Sequence, residues 1–133
     1  MAGRKEWMKS TVYLDTNIIL RLFLNDDEVQ KNTSILTLES NNCFVFSEVL
    51  SEVVYVLLKT YESDRHYVAS SLRYFLRIPT VSVIDFEVID EALKVFATTK
   101  LDFVDCMLSA YSKVRNFEIA TYDRALISQM ARK

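Results

Sequence analysis

Apolar and polar positions along this chain alternate between two patterns. Four short runs, Thr11 to Leu14, Cys43 to Phe46, Thr80 to Val83 and Glu118 to Ala120, are apolar or β-branched over strand length and read as strands. The segments between them are longer and carry helical spacing. Thr16 to Leu24 and Glu28 to Glu39 follow the first strand, and Ser47 to Thr60 follows the second with Ser47 as its candidate cap. Asp64 opens a helix running to Arg77, which Pro79 closes because a helix through that residue would lose a hydrogen bond. Asp85 to Thr98, Asp102 to Val114 and "YDRALISQM" complete the helices. Strands separated by helices pair in parallel, so the pattern predicts an α/β fold, a three-layer α/β/α sandwich around a central parallel sheet.

Composition narrows the function. The 133 residues suit a single domain spanning 1–133, with residues 1–10 set apart as an extension because Met8 could equally be the start. A net charge of −2 argues against nucleic-acid binding over the whole surface and confines such contact to a local patch. Cys43 and Cys106 lie in apolar surroundings and read as buried free thiols of a cytoplasmic protein. No secretory signal or membrane-spanning run is visible. One glycine cannot build a phosphate loop or a dinucleotide fingerprint, and the lone His66 reads as a solvated surface residue, so His-based triads and His-metal sites drop out.

Acids remain to carry chemistry. In "STVYLDTNIILRLFL", Asp15 ends a strand at the sheet edge where α/β proteins collect ligands, and Asp123 in "IATYDRAL" repeats that placement. Helical spacing sets Glu52 beside Val49, Tyr55 and Val56, and Asp105 beside Val104, Met107 and Leu108; a carboxylate among apolar neighbours is costly unless paired or metal-bound. Each has a simpler structural role open to it: Asp123 as a helix cap, Asp105 as a first-turn acid, Glu52 as half of an ion pair. Asp102, one turn before Asp105, reads as the N-cap. Two carboxylates about 4 Å apart repel by roughly 4 kcal/mol at an effective dielectric near 20, so a convergent set requires a counter-charge. Mg²⁺ or Mn²⁺ takes carboxylate and water oxygens without His or Cys, and suits metal-assisted phosphodiester hydrolysis.

With these motifs the chain resembles the PIN-domain ribonucleases, and among them the VapC-like toxins of type II toxin–antitoxin pairs. "YLDTNIILRLFL" matches the family's opening strand, acid and helix; "LSEVVYVL" and "FVDCMLSA" match the helices carrying the second and third acids; "TYDRAL" matches the Thr-x-Asp element after the fourth strand. The resemblance covers about Thr11 to Leu126. It implies a sheet of about four or five strands and a Mg²⁺- or Mn²⁺-dependent endoribonuclease. It also implies Asp15, Glu52, Asp105 and Asp123 as the catalytic, metal-binding acids, with Asn17 and Thr121 as polar supports. A homodimer silenced by a cognate antitoxin is implied as well. The chain departs from the pattern at its C-terminus, where "ISQMARK" follows the last acid in place of a further strand.

Arg21, Arg73 and Arg77 are the candidate contacts to RNA phosphates, although a solvated charged face explains them equally well. Ile19, Leu22 and Phe23 could serve a partner or pack into the core. Two other readings compete. A phosphoacceptor receiver-like module would use Asp15 for Mg²⁺ and Asp85 as the phosphorylated residue, but it leaves Glu52 and Asp105 unexplained. A catalytically inactive PIN-like scaffold would keep the fold for binding alone.

Overall fold

The computed structural model describes residues 10–132, so Met8 and nearly all of the possible extension lie outside the described residues. Three strands, β1 (Thr11–Tyr13), β2 (Asn42–Phe44) and β3 (Val81–Ser82), form a parallel sheet in the order β1-β2-β3. Val12 pairs with Cys43, and Phe44 with Ser82. Backbone bonds carry the pairing past the strand ends, from Leu14 N to Phe44 O at 3.0 Å and from Val45 N to Ser82 O at 2.9 Å. Helices α1 (Thr16–Phe23) and α2 (Glu28–Ser40) connect β1 to β2. Between β2 and β3 lie α3 (Ser47–Tyr55), a π-helical turn (Val56–Thr60) and α4 (Arg65–Phe75). After β3 come α5 (Phe86–Thr98), α6 (Phe103–Arg115) and α7 (Arg124–Ala131). The protein is thus mixed α/β, with a parallel sheet flanked by helices. No helix among the described residues is long and apolar enough to cross a membrane.

The chain divides into two compact units: one holds the residues up to Val53 together with Phe75–Ile84, the other Val54–Tyr74 and everything from Asp85 onward. The first unit contains the sheet. Strand alternation there buries Leu14, Cys43 and Val45 while Tyr13 and Phe46 stay exposed, their rings stacked at 5.5 Å. Ile19 and Leu20 of α1 are buried, and Phe23 meets Phe75 edge-on, so the apolar side of α1 is used for packing. Asp27 caps α2 by accepting a bond from Gln30 N at 3.0 Å.

The second unit is built around α5, α6 and α7, with Ile89, Leu93, Phe96, Cys106, Ala110 and Leu126 buried. Arg65 fastens two of its segments. The guanidinium lies 3.7 Å from the centre of the Phe96 ring, and its nitrogens donate to the carbonyls of Phe96 and Leu101. Asp90 is buried and accepts from Arg73 Nε at 2.8 Å, with Lys94 one helical turn away at 3.7 Å. Asn116 ends α6 in the left-handed region at φ 56°, and Glu62 takes φ 50° after the π-helical turn.

Two expectations change here. The helix expected to run from Ser47 to Thr60 switches to π-type bonding in its last turn, where Tyr61 N donates to Val56 O at 3.3 Å. The strand expected at Glu118 to Ala120 makes no ladder, so the sheet among the described residues has three strands instead of about four or five. A parallel strand needs both faces covered, whereas Glu118 and Ala120 are exposed and only Ile119 is half-buried. A fifth strand is likewise absent among the described residues, because helix α7 occupies the chain after Asp123.

Candidate active site

In the first unit, the chain leaves β1 at Leu14 and enters α1 at Thr16, which makes Asp15 the N-cap residue, in extended conformation with ψ 160°. Its carbonyl accepts from Ile18 N at 3.1 Å, as an N-cap carbonyl should, but its carboxylate makes no capping bond and is exposed. The simplest structural role for Asp15 is therefore not the one its side chain performs. Asn17 is exposed in the first turn of α1. Glu52 is exposed on α3, and its neighbour Tyr55 is 63 % exposed, which corrects the expectation of a carboxylate set among apolar groups. The helical spacing was read correctly; the face it generates is simply open to water at Glu52.

The second unit gathers more. Asp102 occupies the expected N-cap position of α6, although its side chain makes no cap bond. Asp105 lies one turn further on the same helix and is half-buried. Asp123 caps α7, its Oδ1 accepting from Leu126 N at 2.9 Å, while Thr121 Oγ1 accepts from Asp123 N at 3.0 Å. One carboxylate oxygen of Asp123 is thus engaged in capping, and Thr121 fixes the backbone that carries it. Asp102, Asp105 and Asp123 line one cavity of about 460 Å³ with Lys100, Gln129 and Arg132.

Electrostatics mark Asp105. Burial pushes its carboxyl above the usual range, and the charges of Asp123 and then Asp102 push in the same direction. None of the three acids makes an ion pair among the described residues, in contrast to Asp85 and Asp90. Hard oxygen donors that make no ion pair among the described residues fit Mg²⁺ or Mn²⁺ in chemical kind. In neither unit, among the described residues, do three or more His, Cys, Asp or Glu side chains stand close enough to form a ready ligand group.

The candidate phosphate contacts fare differently. Arg21 pairs with Asp26 at 2.7 Å and Arg73 with buried Asp90, so both are held within the fold; Arg77 is exposed. Asp85, the residue a receiver-like module would phosphorylate, has both carboxylate oxygens on Arg115, at 3.0 and 2.8 Å. His66 is exposed, and both cysteines are free and buried. Sequence reasoning missed Lys100, Arg132 and the open carboxylate of Asp102. The spacing of Asp102 and Asp105, three residues apart on one helix, was the available signal for the last.

The PIN domain family matches residues 12–133, and the chain belongs to that family. PIN domains are in general nucleases, and they typically use divalent metal ions. A search of curated proteins found no match.

Proposed function

We propose that this protein is a Mg²⁺- or Mn²⁺-dependent endoribonuclease, the toxin of a toxin–antitoxin pair acting in the cytoplasm. Membership of a nuclease family supports the reaction class. The observation that carries the reading is the set of carboxylates lining the cavity, Asp102, Asp105 and Asp123, none of which makes an ion pair among the described residues. We assign metal binding and catalysis to Asp15, Glu52, Asp105 and Asp123, with Asn17 and Thr121 as supports. A bound cation would supply charge stabilisation at the phosphate and make its water a better nucleophile. One of these acids accepts the proton of the attacking water. Asp123 lines the cavity while its Oδ1 holds the start of α7. A second copy of the chain and a cognate antitoxin are the proposed partners.

The test is cleavage of a structured RNA pool by purified protein with Mg²⁺, Mn²⁺ or EDTA, comparing wild type with Asp15→Asn and Asp105→Asn. Metal-dependent cleavage lost in both variants is expected. Equal cleavage by wild type and variants would remove these acids from the mechanism.

A further inference from the structure

The cavity in the second unit holds two cations as well as its acids. Lys100 precedes Asp102 in the loop entering α6, and Arg132 follows the last residue of α7. Neither side chain makes an ion pair or hydrogen bond among the described residues, although three carboxylates line the same space. Arg73, Lys94, Lys113 and Arg115 of this unit pair with acids, and Arg65 with carbonyls and a ring; Lys59 and Arg124 make no such bond among the described residues either, but they do not line the cavity. Both cations are exposed at the cavity, so their charge is open to a ligand that enters it.

We propose that Lys100 and Arg132 are positioning residues that grip backbone phosphates of a single-stranded RNA threaded through this cavity. The inference rests on the ribonuclease reading. Without these cations the cavity would present only negative charge to a polyanion and repel it. Helix α7 separates the Cα of Arg132 from that of Asp123 by roughly 13 Å, nine residues at 1.5 Å each. Arg132 therefore serves a phosphate neighbouring the one cleaved, whereas Lys100, two residues from Asp102, serves one nearer the acids. Contacts of this kind fix the register of the strand without reading its sequence.

Binding of a short fluorescent single-stranded RNA of mixed sequence, followed by anisotropy in EDTA and 0.1 M salt, separates binding from cleavage. Lys100→Gln and Arg132→Gln should each weaken binding about fivefold, the counterion-release contribution of one phosphate contact to a single strand at that salt, and lower the salt slope by about 0.7. Lys100→Arg and Arg132→Lys should restore most of the affinity, and Lys31→Gln, which removes a charge outside the cavity, should leave it within about twofold. Wild-type affinity in both Gln variants, with unchanged melting, would overturn the phosphate grip while leaving the ribonuclease reading intact. Wild-type protein that binds no RNA at any salt would overturn both.

Discussion

Asp15 and Asp85 stand at equivalent junctions and are used in opposite ways. Each follows a strand of the parallel sheet, each has an extended backbone, and each occupies the N-cap position of a helix. The Asp85 carboxylate accepts from Val88 N at 3.4 Å and binds Arg115 through both oxygens; the Asp15 carboxylate caps nothing and meets no cation among the described residues. A strand-end aspartate is therefore ambiguous by itself. What distinguishes the two is whether the fold supplies partners for the side chain, and only at Asp85 does it do so.

Substitution should make this contrast measurable. The largest effect is expected on catalysis: Asp15→Asn should reduce RNA cleavage roughly 100-fold or more while changing melting little, because no folded-state bond is lost. Asp85→Asn should cleave at close to the wild-type rate. A large stability loss in Asp15→Asn, or a large activity loss in Asp85→Asn, would break the comparison. Next in size, Arg73→Ala should destabilise the fold by about 2 kcal/mol in denaturant titration, since it deprives buried Asp90 of its main partner; Lys94 and partial exposure soften the loss. Should Arg73→Ala melt like wild type and lose RNA affinity instead, Arg73 would return to the list of phosphate contacts.

Smaller effects sharpen the contrast through pH. The hydrogen bond from Arg115 holds the Asp85 carboxyl below the usual range. That stabilisation is present above the unfolded aspartate value of about 3.9 and is lost as pH falls through the lowered folded value. Asp85→Asn keeps a capping side chain, so it should cost about 1 kcal/mol at pH 7, and its melting should converge with that of wild type in strong acid. Asp105 carries the opposite sign. Burial and the nearby acids raise its carboxyl, so the folded state binds that proton more tightly than the unfolded one, and metal-free stability falls as pH rises through the raised value. Asp105→Asn should therefore melt slightly above wild type at pH 7 without metal, with the gain fading toward pH 4.

The same division runs through what the sequence made legible. Helices were readable because their apolar faces repeat and their starts carry Asp27, Asp64 and Asp85, all of which bond a backbone N–H near the helix start. The three parallel strands were readable because each is short, apolar and bounded by turns. Glu118 to Ala120 was not, since β-like composition cannot report whether a neighbouring strand accepts it. At the site, residue type and order pointed to Asp15, Asp105 and Asp123. Whether a cap position also uses its side chain depends on rotamer and partner, so the open carboxylates of Asp15 and Asp102 could not be told in advance from the engaged ones of Asp27 and Asp85.

The left-handed residues Glu62 and Asn116 bear on how this chain tolerates change. With a single glycine in the whole sequence, the left-handed turns among the described residues fall on residues that carry a Cβ, and Glu62 has no short polar side chain to ease the conformation. Each such turn is a reserve of unrealised stability. A glycine placed at position 62 would relieve local crowding worth about 1 kcal/mol, partly offset by a freer unfolded chain. A laboratory seeking a hardier version of this protein has that turn available without altering any acid of the cavity.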